Sequence, residues 1–334
     1  MITLKDIARE AGVSITTVSN VVHNRKSRVS PELVARIQAI IERENYIPSM
    51  TARALASNAS PIIGIINHVV SPRVGFLSDP FHNIFMGGIE NKSREEGYFL
   101  MVRTVEDARG LEAAYRSWNL AGMIFVGLYQ DEFFEAVQKT NIPFVLIDSY
   151  VGLPDVYNVG LEDKKGGYLA TRHLLEKGHR RIAFASPFVR AGGVVEQRLM
   201  GYKDALKEFD VSFDPGLVFE QEISVSEGAA LGRTLGKRAD ISAIFASADI
   251  LAAGIMAGLR SVGVRVPEDK SIVGFDDNYL SQITYPPLST IHQDADAKGV
   301  IATEMIIAQL VGKEVKEKNV ILPVRLVERG SVGI

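Results

Sequence analysis

The sequence predicts an α/β body preceded by a small all-helical module, and three observations lead there. After residue 60, short β-branched runs alternate with amphipathic stretches, the order that builds parallel sheets covered by helices. Before residue 48, three helical patterns follow one another, the first two split by a turn containing Gly12. Between the two regions "SNASP", residues 57–61, reads as a domain boundary.

The bulk properties set the frame. A chain of 334 residues is long for one core, so two or three domains are expected. No apolar run approaches the length of a membrane span, no export leader is recognisable and cysteine is absent. The expected compartment is the prokaryotic cytoplasm, with no membrane partner. The net charge of −3 hides an asymmetry: residues 1–60 sum to +3 and the remainder to −6. A basic module on an acidic body fits nucleic-acid contact at one end and solubility at the other.

The helical module explains itself residue by residue. Thr3 and Asp6 have capping-box spacing and start a helix at Leu4, whose inner face is Leu4, Ile7, Ala8 and Ala11. Gly12 stops it, because glycine tolerates the left-handed conformation that a tight stop requires. Ser14 caps a second helix with Val18, Val21 and Val22 inward. Ser30-Pro31-Glu32 opens a third: cap, proline in the first turn, acid beside the positive end. Its buried side is Leu33, Val34, Ile37, Ile40 and Ile41.

This is a helix-turn-helix pattern, in which the second helix enters the major groove. Ile15, Thr16, Ser19 and Asn20 point outward on it. Ile15 and the Thr16 methyl suit thymine methyls, and Asn20 suits adenine N6 and N7. Ser14, Thr17, His23 and Arg28 are placed for phosphates, which orient the module without reading sequence. A three-helix domain docking a protein fits the same pattern. Residues 49–58, "SMTARALASN", form a two-turn helix candidate too short to stand alone. Its single leucine, Leu55, suits a wedge in the minor groove, and a solvated linker fits the composition equally.

In the body, strand runs are expected at 62–67, 99–103, 123–127, 144–148, 181–186, 243–247 and 271–275, with helices at 83–97, 164–177 and 227–238. Ligands of such sheets bind beyond the carboxyl ends of strands. Asp148, Asp249 and Asp276 sit at three such ends, each able to hold a hydroxyl; helix caps and loop carboxylates fit each one singly. No GxSxG, HExxH or P-loop is present, "GRTLGKR" at 232–238 being a spacer short of the last. The six histidines show no metal spacing. No catalytic residue, metal ligand or cofactor is therefore expected. A solute-binding module would have a leader and no basic headpiece, the reverse of what is found.

Taken together, "TLKDIAREAGVSITTVSNVV", "VSPELVARIQAII", "ARALAS", "IIGIIN", "AGMIFVG", "IPFVLID", "GHRRIAFAS", "RLMGYKDAL", "AIFASADILAAG", "VPEDKSIVGFDDNYLS", "PPLSTIHQD" and "VRLVERGS" run in order from residue 3 to 331. In this the chain closely resembles the lactose/galactose repressor family of bacterial transcription regulators. The resemblance implies a headpiece over 1–48 that also includes Thr3 among its DNA contacts. It implies a hinge helix and linker over 49–60, with Leu55 as the intercalating leucine. Over 61–334 it implies a periplasmic-binding-protein-like body of two parallel-sheet α/β subdomains, about 61–160 with 293–322 and about 161–292 with 323–334. The implied partners are a pseudo-palindromic double-stranded operator, a small sugar-like effector and a second copy of the chain.

Arg198 matches the family's effector-contacting arginine, and Asp148 and Asp276 match effector-binding acids. Phe81 and His82 fall where members place ring-bearing contacts. Some positions depart from the family pattern. Asn20 stands where arginine is common and His23 where asparagine is usual. Ala248 replaces a common asparagine, and Ile223 sits where sugar binders often carry a stacking aromatic. The segment 68–79, with His68 and Arg73, is about seven residues longer than the family pattern; Arg73 fits a solvated loop arginine first, and an arginine that reaches an anionic group on the ligand second.

Overall fold

The computed structural model describes residues 2–22, 29–46, 60–68 and 75–333. The expected hinge helix with Leu55, and also His23, Arg28 and Arg73, lie outside the described residues. The chain forms two units, residues 1–60 and 61–334.

In the first unit the helices are α1 (Leu4–Ala11), α2 (Ile15–Val22) and α3 (Pro31–Arg43). The capping box forms: the Asp6 amide donates to Thr3 Oγ1, and Asp6 Oδ2 accepts from the Thr3 amide at 3.1 Å. Gly12 adopts φ 65°, ψ 34° and its amide closes back on Ala8 and Arg9. Ser14 caps α2, its Oγ accepting from the Thr17 amide at 3.1 Å. Ser30 differs from expectation. It occupies the N-cap of α3, but its side chain makes no cap bond, and Pro31 in the first turn leaves one donor fewer to satisfy. Ile7, Ala8, Ala11, Val18, Val21, Val34, Ile37 and Ile40 make one buried core. Arg43 pairs with Glu10 at 2.6 Å, tying α3 to α1.

The second unit holds two six-stranded sheets. The first has order β11-β5-β4-β3-β1-β2, from β1 (Ile62–His68), β2 (Phe99–Val105), β3 (Gly122–Val126), β4 (Phe144–Ile147), β5 (Asn158–Leu161) and β11 (Asn319–Leu322). The second has order β12-β10-β9-β8-β6-β7, from β6 (Ile182–Ser186), β7 (Val218–Glu220), β8 (Ala243–Ala246), β9 (Ser271–Asp276), β10 (Ser289–His292) and β12 (Arg325–Val327). All pairings are parallel except β10 with β12. The chain passes between sheets after β5, after β10 and after β11.

Each sheet is covered on both faces. Alternation along β1 sends Ile63 and Ile65 to one side, against α4 (Pro80–Glu95) and α12 (Ala295–Leu310). Ile66 goes to the other, against α5 (Ala108–Trp118) and α6 (Glu132–Gln138). The second sheet lies between α7 (Asp163–Glu176) with α8 (Val194–Glu208) and α9 (Val225–Gly236) with α10 (Asp249–Ser261), and the short α11 (Tyr279–Ile283) follows β9. The α7–α8 pair needs glycine: a Cβ on Gly201 would stand 1.9 Å from the Lys164 carbonyl oxygen.

Strands β5, β7, β10, β11 and β12 are not among the expected runs. They are three or four residues long, too short for a period-2 signal. Sheet neighbours supply their pairing.

Candidate functional site

The carboxyl ends of β3, β4, β6, β8 and β9 converge on a cleft of about 240 Å³ between the two sheets. That lies just under the ~300–1,000 Å³ of drug-sized ligand pockets, so its occupant is small. Phe81, His82, Asp148, Arg198 and Asp276 all line it. So do Ile223 and Ala248, which contribute only apolar groups.

Asp79 caps α4, accepting from the Phe81 amide at 3.0 Å, and so aims the first turn of that helix at the cleft. His82 Nδ1 lies 2.6 Å from the Phe76 carbonyl, and its ring stacks on Phe76. Burial lowers the pKa of His82, which favours neutral imidazole with Nδ1–H donating and Nε2 left as an acceptor.

Asp148 follows β4 in a left-handed conformation, φ 53°. Lys298, fully buried on α12, grips both its oxygens at 2.7 and 2.8 Å. The same ammonium donates to Gln293 Oε1 at 2.9 Å, and Gln293 Nε2 donates to Asp276 Oδ1 at 2.6 Å. An unbroken polar chain thus runs from the end of β4 in one sheet to the end of β9 in the other.

A second chain crosses beside it. Arg198 Nε donates to Asp163 Oδ1 at 2.8 Å and Nη1 to the Ser247 carbonyl at 2.6 Å. Its guanidinium carbon lies 3.6 Å from the Phe275 ring centroid. Asp163 also accepts from Tyr150 Oη at 2.6 Å. Burial pushes Asp163 up despite Arg198, and burial with Asp163 beside it raises Tyr150.

Asp249 does not belong to the cleft, contrary to the strand-end expectation. Its side chain is fully buried. Its oxygens accept from Thr290 Oγ1 at 2.6 Å and the Asn278 amide at 3.0 Å. It opens α10 and turns inward to anchor the loop after β9. Three residues absent from the sequence reading are central instead: Lys298, Gln293 and Asp163. Lys298 had a signal, a charge on the apolar stripe Ala295, Gly299, Ala302 and Ile306 of its helix.

Asp276 is pushed up to about 7, chiefly by burial, with Arg198 and the Gln293 amide opposing. A folded pKa above the ordinary 3.8 means the folded state binds this proton more tightly than the unfolded chain does. Its stabilising contribution is therefore complete below pH 3.8 and lost as pH rises through about 7. Asp276→Asn is expected to remove that share of the slope. Thermal melts of the ligand-free protein across this range check it, and an unchanged slope would contradict the assignment.

The other candidate site is the outer face of α2. Ile15 is 48% exposed and Thr16 is exposed, while Ser19 and Asn20 are half-buried. Ser14 and Thr17 hydroxyls lie 2.9 Å apart at the start of the helix. Thr3 is exposed in front of α1, its hydroxyl donating to Asp6 at 2.6 Å.

Comparison with known proteins agrees with this layout. The model of bacterial regulatory proteins of the lacI family matches residues 3–49, and that of the periplasmic binding protein-like domain matches residues 171–332. HTH-type transcriptional regulator GalR of Escherichia coli is 31% identical over 341 residues, covering 100% of this chain and 96% of that one. The crystal structure of the lac repressor dimer bound to operator and the anti-inducer ONPF is 27% identical with a TM-score of 0.84, covering 100% and 99%. A lacI-family regulator from Enterococcus faecium with bound ribose is 26% identical with a TM-score of 0.71, covering 81% and 98%. Being 31% identical to that regulator over 100% of its own length, the chain belongs to the lacI family of bacterial regulatory proteins and is a transcription regulator, not an enzyme.

Proposed function

We propose that this regulator is a repressor that binds a pseudo-palindromic operator as a homodimer and releases or grips it according to a small sugar-like molecule in the cleft. The observation that carries the reading is the face of α2. Val18 and Val21 lock the helix into a buried core, and Ile15 and Thr16 are left exposed on a helix that itself carries no charged side chain. A face so small and uncharged suits close approach to base edges. Asn20 reads adenine, and Thr3, Ser14, Thr17, His23 and Arg28 hold phosphates. Leu55 wedges the minor groove from a hinge over 49–60. The body over 61–334 works as two subdomains, 61–160 with 293–322 and 161–292 with 323–334.

The effector contacts are Phe81, His82, Asp148, Arg198 and Asp276, which come from both sheets. A ligand bridging them changes the relation of the two halves, and the coupling to DNA is a difference in affinity between two states, typically ~1–3 kcal/mol. A dimer is supported by Tyr279, Ile283 and Tyr285, exposed at 57%, 70% and 89% within seven residues of one another. Apolar surface clustered in this way suits a protein interface.

The test is footprinting at controlled salt on DNA flanking the gene, with the full chain and with a chain lacking residues 1–60. A two-fold site protected only by the full chain is expected. Asn20→Ala is expected to cost about 1–3 kcal/mol at one base pair of each half-site, measured by fluorescence anisotropy on operator variants. No preferred site would overturn the reading.

A further inference from the structure

Three carboxylates line the cleft, those of Asp79, Asp148 and Asp276, and each is nine-tenths or more buried. Two cations stand near them, and both are committed to the protein. An ammonium has three donors, and Lys298 spends all three, two on Asp148 and one on Gln293. Arg198 keeps three N–H groups for a ligand, but its charge is already matched by the buried Asp163. Among the described residues, an entering anion would meet the acidic side chains of Asp79, Asp148 and Asp276 and no uncommitted cation.

The free acceptors tell the same story from the other side. Asp79 uses one oxygen on the Phe81 amide, and Asp276 uses one on Gln293. Among the described residues the second oxygen of Asp79 has no protein donor, while Asp276 also takes a backbone hydrogen bond from Asp249. Ser247 supplies an independent observation: it lines the cleft, is 2% exposed, and its buried Oγ has no hydrogen-bond partner among the described residues. A buried hydroxyl without a partner carries a cost that a ligand hydroxyl removes. Phe81, Leu128 and Ile223 offer apolar cover for C–H faces.

Resting on the regulator reading, we propose that the cleft selects an uncharged, hydroxyl-rich ligand over its phosphorylated or carboxylated counterparts, with Lys298 as the positioning residue that holds Asp148 in place as an acceptor for that ligand. Lys298 does not touch the ligand itself. It fixes Asp148 and, through Gln293, ties it to the acceptor on the opposite sheet.

Calorimetric titration of the full-length protein tests this with matched sets: neutral monosaccharides, disaccharides and sugar alcohols, their terminal phosphates, and the corresponding uronic and aldonic acids. A neutral compound is expected to bind at least 100-fold more tightly than its own anionic derivatives. An anionic compound that binds as tightly as its neutral parent overturns the proposal, as does silence from every set. Operator footprinting on the same samples keeps that failure distinct from failure of the regulator reading, which would show as the absence of any preferred site.

The role of Lys298 is read with the tightest neutral compound. Lys298→Met leaves Asp148 buried without its cation and is expected to weaken binding at least 30-fold. Asp148→Asn with Lys298→Met keeps an acceptor that needs no counter-charge and is expected to recover at least tenfold of that loss. A residue that only filled space would show no such coupling in a double-mutant cycle. A double variant no better than Lys298→Met overturns the positioning role.

Discussion

Replacing Arg198 with alanine is expected to abolish the response to effector, with affinity in the cleft falling at least 100-fold. The side chain contributes two different things. Toward the cleft it offers the three N–H groups left over from its bonds to Asp163 and Ser247. Toward the core it neutralises Asp163, which is 1% exposed. Removing one partner of a buried pair costs roughly 3–5 kcal/mol, because the other charge stays behind unpaired. Arg198→Ala is therefore expected to lower the melting temperature of the body as well. Arg198→Lys separates the two effects. An ammonium still faces Asp163, so most of the stability returns, while the planar fork is gone and effector affinity stays at least tenfold down. Titration of effector into each variant, beside operator release followed by anisotropy, checks both. A normal effector response in Arg198→Ala would show that the ligand binds elsewhere.

Ile37→Ala is expected to abolish operator binding and leave effector binding unchanged. Ile37 is fully buried at the centre of the headpiece core, among Ile7, Val18 and Val34. Truncating a buried isoleucine costs roughly 2–5 kcal/mol. A module this small has little more than ~3–5 kcal/mol of stability to lose. Without that core nothing holds α2 with Ile15 and Thr16 outward, and the DNA-reading face is lost. The body has its own four cores, with no member in common with the headpiece. Circular dichroism should show a headpiece transition displaced below the body transition, and calorimetry should give an effector affinity within twofold of the parent. Sequence-specific DNA binding by this variant would contradict the headpiece assignment.

The two variants also separate the two kinds of information in the chain. The headpiece was legible because its signals are local. A threonine and an aspartate three residues apart, a glycine at the stop and valines at helical spacing are all read within a single turn or two. The strand runs around Ile63, Phe125, Leu146, Phe184, Phe245 and Val273 were legible for the same reason. Each is apolar enough to specify a strand buried on both faces.

The cleft was only half legible. Asp148 and Asp276 are called by their place at strand ends, and the structure puts both at the cleft. Asp249 occupies an equivalent place in sequence, and it faces the other way. What separates them is the company each keeps: Thr290 and the Asn278 amide draw Asp249 inward, whereas Asp148 meets Lys298, 150 residues away along the chain.

The amino-acid sequence by itself determined the helical module, the alternation that makes two parallel sheets, and the ends of strands where a ligand belongs. The tertiary structure alone decided which carboxylates face that ligand, that Lys298, Gln293 and Asp163 join them, and where the short strands β5, β7, β10, β11 and β12 pair. The reason is physical. Periodicity and capping act over a few residues, while the partner of a buried charge is chosen by whatever the fold brings within 3 Å of it, and for Asp148 and Lys298 that partner lies 150 residues away.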